Sequence, residues 1–72
     1  MQDTTNNAPR FLRRPEVCAR TGLSRSYLFD LEAQGRFPAR VKLSERTAAW
    51  VESEVSAWIE ARIAERDARL AA

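Results

Sequence analysis

The stretch Thr21–Pro38, TGLSRSYLFDLEAQGRFP, decides the fold. It passes through a glycine turn, opens a helix at a serine, and closes that helix with a second glycine and a proline. Ser24 is placed to accept a hydrogen bond from a backbone N–H two or three residues on, as an N-cap does. Leu23 precedes the cap and Leu28 falls at the fourth helical position, the spacing of a hydrophobic staple. These signals predict a helix from Arg25 to about Gln34, with Leu28 and Leu31 inward and Tyr27 on their flank. Gly35 stops the helix and Pro38 prevents a restart. The outer face is the anomaly: Arg25, Ser26, Phe29, Asp30 and Ala33 stand where a solvated helix normally shows Glu and Lys.

Upstream, PEVCARTG fits a short first helix from Pro15 to about Thr21. Proline is tolerated in a first turn because its missing N–H would have no helical partner there. Glu16 suits the positive end of the helix dipole, and Gly22 is placed to take a left-handed C-terminal conformation. Two short helices joined by a glycine-containing turn are a helix-turn-helix signal, weak by itself. Cys18, small and four positions before Gly22, strengthens it by allowing close approach where the helices cross. A free cysteine in such a place packs as a small hydrophobe.

Downstream, ARVKLSERTAAW changes period. Val41 and Leu43 alternate with Arg40, Lys42 and Ser44, the pattern of a strand with one apolar face. Ser44–Arg46 serves as a tight turn and TAAWV returns as a second strand. A two-stranded hairpin is marginal alone, so it must lean on the helices, with Trp50 the expected contact. Val55, Trp58, Ile59 and Ile63, then Leu70, form the stripe of a last helix. Beyond Ile63 the stripe thins to alanine and charge, leaving final turns that either fray or bind something. The expected architecture is α+β, mostly α: two short helices, a β-hairpin wing and a C-terminal helix. Residues 1–10 read as a disordered tail, 11–64 as the domain, and 65–72 as the end of the last helix.

The chain has 72 residues, one cysteine and no histidine. One domain at most fits in that length, burying only about 60% of the surface its unfolded form exposes. An internal disulfide is excluded, and no plausible zinc ligand set exists. No apolar run approaches the ~20 residues of a membrane helix, and MQDTTNNAP has no secretory apolar region. These features suit a cytoplasmic, nucleoid-associated protein without a cofactor. Catalysis has little support: a serine or cysteine nucleophile lacks its usual base, and Glu52 and Glu54 have no evident cleft around them. Nor is there a glycine-rich phosphate loop.

Charge is distributed unevenly. Arg10 to Arg46 carries nine basic side chains against four acidic, and Thr47 to Ala72 carries three against five. This asymmetry points to a polyanion partner for the first half; an ordinary basic surface is the plainer reading.

A helix end docked at a groove places its first residues nearest base edges and phosphates. Arg25 there reaches a guanine or a phosphate, Ser26 bonds either, and Phe29 offers apolar contact to a thymine methyl. The alternatives are that Arg25 and Ser26 are merely solvated and that Phe29 packs on the hairpin. Asp30 repels a phosphate backbone and reads best as a solvated or salt-bridged acid. Arg40, Lys42 and Arg46 are expected to project together from the wing, or else to guard a sheet edge. Arg13 and Arg14 hold phosphates beside the first helix or are plain surface charge. The candidate contact set is Arg13, Arg14, Ser24, Arg25, Ser26, Tyr27, Phe29, Arg36, Arg40, Lys42 and Arg46. With about five cations each neutralising a phosphate, log affinity falls against log salt with a slope of roughly −4 to −5.

Several motifs in register resemble a known family. EV at Glu16–Val17, TGLSRS at Thr21–Ser26, GRFP at Gly35–Pro38, VKL at Val41–Leu43, Trp50 and SEVSAW at Ser53–Trp58 look like the AlpA family of small phage-type regulators. The resemblance covers about Leu12 to Arg62. That family is related to winged-helix excisionases and MerR-type DNA-binding domains. The resemblance implies a winged helix-turn-helix that binds duplex DNA through its second helix and wing, as transcription regulator or excision factor. Arg25 and Ser26 carry over as DNA-facing. Phe29 stands for a usual Tyr, Asp30 for a usual Arg, Tyr27 for a usual Thr, and Ser44 for a common turn Gly. The partners implied are double-stranded DNA, further copies along it, and an integrase or other recombinase, or RNA polymerase. A module binding an acidic protein is the reading from a different class.

Overall fold

The computed structural model describes residues 9–71. The expected tail at residues 1–10 lies outside this range except for its last two positions. Elements follow in the order β1 (Phe11–Leu12), α1 (Arg14–Thr21), α2 (Arg25–Ala33), β2 (Val41–Lys42), β3 (Ala48–Val51) and α3 (Glu52–Ala71). This is a winged helix-turn-helix of the α+β class.

Both short helices owe their ends to the residues the sequence marks. In α1, Pro15 occupies the first turn and Gly22 adopts φ 77°, its N–H donating to the Cys18 carbonyl. Thr21 reinforces the turn: its hydroxyl donates to the Val17 carbonyl at 2.8 Å and accepts from the Leu23 N–H at 3.2 Å. The Ser24 hydroxyl then accepts from the Tyr27 N–H at 3.1 Å and caps α2. At the other end Gly35 takes φ 74°. The Arg36 N–H reaches the Leu31 carbonyl and the Gly35 N–H reaches that of Glu32. This pair of bonds closes a helix on a left-handed glycine and satisfies its orphan carbonyls.

The sheet has three strands, not the two of a bare hairpin, in the order β1-β3-β2, antiparallel throughout. Its β2–β3 ladder pairs Val41 with Ala49 and Lys42 with Ala48. Ser44–Arg46 forms the tip, where the Leu43 and Ser44 N–H groups both donate to the Thr47 carbonyl. The added strand, β1, pairs Phe11 with Val51 and Leu12 with Trp50. A third strand gives the wing the support that an isolated hairpin lacks.

The core gathers Leu12, Val17, Leu28, Leu31, Phe37, Trp50 and Val55, with Cys18, Leu23, Phe29, Trp58 and Ile59 packed around it. Phe37 is buried, and its ring meets that of Trp58 edge-on with centroids 4.9 Å apart. The Trp58 indole N–H donates to the Arg36 carbonyl at 2.8 Å. These two contacts fasten the segment after α2 to α3. Val41 and Leu43, expected on an inward face, are exposed; of the hairpin, Ala49 and Trp50 on β3 are the residues that enter the core. In α3 the stripe is buried at Val55 and half-buried at Trp58 and Ile59, while Ile63 and Leu70 are exposed. The helix continues without a break to Ala71.

Candidate nucleic-acid interface

The cap at Ser24 aims the start of α2 outward. Arg25, Ser26 and Tyr27 are exposed there, and the side chains of Arg25 and Ser26 have no hydrogen-bond or ion-pair partner among the described residues. Leu28 follows at full burial and anchors the turn that carries them. Arginine with its fork of donors unspent, on the first turn of a helix that Leu28 locks into the core, has the chemistry to read a groove. Asp30 is exposed and forms no ion pair among the described residues, so it holds neither Arg25 nor Arg36. Arg36 instead donates to the Gln34 side chain at 3.3 Å.

The wing departs from the sequence expectation at Arg40. This residue does not project with Lys42 and Arg46. Its guanidinium grips the Glu32 carboxylate of α2, with Nη2–Oε1 at 2.6 Å and Nε at 3.0 and 3.1 Å from the two oxygens. Its backbone N–H also donates to Glu32 at 2.7 Å. The same guanidinium lies 4.7 Å from the Phe29 ring centroid and 5.6 Å from that of Trp50. The cause is geometric: the Gly35–Pro38 turn doubles the chain back and sets Arg40 beside α2. Arg40 is therefore a brace between helix and wing, its charge shared with Glu32. Phe29 takes the packed alternative that the sequence left open. It is half-buried, packed on the core and covered by Arg40, and does not stand free to meet a base.

Burial by itself would raise the Glu32 carboxyl. The side-chain and backbone hydrogen bonds and the charge of Arg40 outweigh it and hold Glu32 below its ordinary value. Arg40 is pushed up by the same partner. A carboxyl depressed on folding adds stability that is complete above its unfolded value and lost as pH falls through its folded one. With Arg40 partly exposed, Glu32→Gln is expected to cost about 1 kcal/mol at neutral pH. Urea midpoints of the two proteins should converge as the solution is acidified below the carboxylate range.

Four of the candidate cations meet in one place. Arg13, Arg14, Arg40 and Arg46 line a recess of about 290 Å³, together with Pro15, Ala48, Phe29 and Trp50. It joins the N-terminus of α1, the wing and α2. Arg13 precedes α1, and its carbonyl accepts from the Glu16 and Val17 N–H groups, leaving its side chain uncommitted. Lys42 lies outside this recess, exposed on β2. Glu32 and Trp50 were not among the site residues read from the sequence. No local periodicity joins Glu32 to Arg40 across a turn, or Trp50 to Arg13.

Two helices at a tight turn with a braced strand wing beside the second define a winged helix-turn-helix module with a basic face. Residues 10–63 match the family model described as prophage CP4-57 regulatory protein (AlpA). The chain belongs to this AlpA family of phage regulatory proteins. It is 51% identical to the "Uncharacterized protein ORF88" of Enterobacteria phage P4, an alignment covering 79% of this chain and 65% of that protein. It is 29% identical to the "DNA-binding transcriptional activator AlpA" of Escherichia coli (strain K12), over 78% of this chain and 89% of that one. The chain thus spans just under two thirds of the length of the phage P4 relative. No solved structure matches significantly. No helix of the described residues is long and apolar enough to cross a membrane.

Proposed function

We propose that this chain is a sequence-specific duplex DNA-binding regulator of a phage or mobile element and does no chemistry. The carrying observation is the exposed leading end of α2, with Arg25 and Ser26 unspent beside a capped and buried anchor. Arg25 and Ser26 read base edges in the major groove, with Tyr27 at their side. Arg13, Arg14, Lys42 and Arg46 meet the phosphate backbone around them, and Ser24 sets the helix angle. Arg36, beyond the far end of α2, lies beside Trp58 and Arg62 of α3 and does not line the recess. The name of the E. coli relative supports this reading, as does family membership.

A single small module buries roughly 600–1,000 Å² on DNA. That modest area favours several copies side by side, or a partner such as a recombinase or RNA polymerase. An excision factor uses the same surface to bend attachment-site DNA and steer recombination. Bending assays on attachment-site fragments, set against promoter-reporter assays, separate that role from transcription control.

The test of DNA binding is fluorescence anisotropy on a labelled duplex across a salt series. With Arg40 committed to Glu32, about four cations remain for phosphates. The expected slope of log affinity on log salt is then no steeper than roughly −3 to −4. A module for acidic proteins would leave duplex affinity negligible at every salt concentration, and that outcome rejects the proposal.

A further inference from the structure

We infer that the arginine recess is a seat for a single phosphoryl group, at which α1 and the wing share one phosphate instead of touching four. The inference rests on the DNA-binding reading for the source of that group, a backbone phosphate of the duplex.

Four arginines and no acidic residue line a hollow of about 290 Å³. Arg13, Arg14 and Arg46 form no ion pair among the described residues, so their charges are uncompensated within the protein. Like charges brought together destabilise a fold unless an anion joins them. Arg40 differs: the Glu32 fork holds it in place, stacked over Phe29 and Trp50, so the seat has one rigid wall. Arginine forks suit the tetrahedral oxygens of a phosphate better than point charges do. Trp50 supplies an independent sign. It is 2% exposed, and its indole N–H has no hydrogen-bond partner among the described residues. Buried N–H groups are nearly always paired. Because Trp50 also lines the recess, its enclosed indole N–H reports on an anion seated there.

One shared phosphate has a consequence that separate contacts do not. Each cation that neutralises its own phosphate adds about 0.9 to the steepness of the salt dependence. If Arg13 and Arg46 hold the same phosphate, either one alone still neutralises it, and the slope can change only when both are lost. The experiment is a double-mutant cycle on duplex binding with Arg13→Ala, Arg46→Ala and the pair, each measured across a salt series. Both side chains are exposed, and unchanged melting temperatures check that the variants fold. In parallel, the indole N–H resonances of Trp50 and Trp58 are followed as duplex, or inorganic phosphate alone, is added.

The expected result is a salt slope almost unchanged in the single variants and flattened by no more than about 1 in the double. Trp50 should shift on duplex addition while Trp58, already bonded to Arg36, shifts little. Flattening by about 1 in each single variant and about 2 in the double, or duplex bound with Trp50 unmoved, overturns the shared seat and leaves the DNA-binding reading intact. A Trp50 shift with inorganic phosphate but no duplex affinity keeps a phosphoryl seat, assigns it to a free phosphate and rejects the DNA reading. No response to either ligand removes both.

Discussion

Arg25→Ala is expected to weaken binding to the cognate duplex by about 5- to 150-fold, the cost of about 1–3 kcal/mol for one bidentate base contact. The loss should fall mainly on the preferred sequence, and binding to unrelated duplex should change far less. Such a pattern distinguishes a base reader from a phosphate holder, whose removal weakens all sequences alike. Arg25 is exposed and makes no hydrogen bond or ion pair among the described residues, so melting temperature should not move. Competition anisotropy with specific and scrambled duplexes, together with a thermal melt, measures both. An equal loss on both duplexes would reassign Arg25 to the backbone.

Leu28→Ala is expected to cost about 2–5 kcal/mol. Leu28 is fully buried in a core of only a few large side chains. At roughly 0.05–0.15 kcal/mol per residue, a chain of this length has about 4–11 kcal/mol in total. The variant should therefore lie close to its unfolding midpoint at physiological temperature. Urea denaturation followed by the fluorescence of buried Trp50 should show a lowered midpoint with an unchanged slope. DNA affinity should fall in step with the folded fraction, because Leu28 pins the turn that presents Arg25 and Ser26. A variant that remains fully folded would show that α2 is held mainly by other contacts.

The two predictions weigh differently on the face they concern. The reading end of α2 depends on one anchored turn, whereas the wing depends on a polar brace. Glu32 and Arg40 tie helix to strand through a partly exposed ion pair, with the Arg40 guanidinium over two aromatic rings. That arrangement explains why Phe29 and Arg40, both attractive as contacts in one dimension, are spent on holding the surface together. In the proposed reading, Arg13, Arg14, Lys42 and Arg46 are the cations left to meet phosphates.

Much of the fold was legible because it is local. Ser24, Gly22, Gly35, Pro15 and Pro38 each act on backbone groups within a few residues, and their chemistry specifies where α1 and α2 start and stop. The α3 stripe is likewise a short-period signal. Membership of the regulator family was legible too, from motifs at fixed spacing. Strand β1 was not, since two residues carry no periodicity and their partners, Trp50 and Val51, lie far along the chain. Phe37 had no pattern to mark it as core; its burial follows from the ring of Trp58 arriving from α3.

By itself the sequence determined the helix boundaries, the capped leading end at Arg25 and Ser26, and the excess of basic charge in the first half. Tertiary structure alone decided which cations are available. A side chain's partners depend on what the folded chain brings within a few ångströms, and alternation along a strand says only which side it leaves from. Hence Arg40 closes on Glu32, while Arg13, Arg14 and Arg46, from two distant segments, converge on one recess.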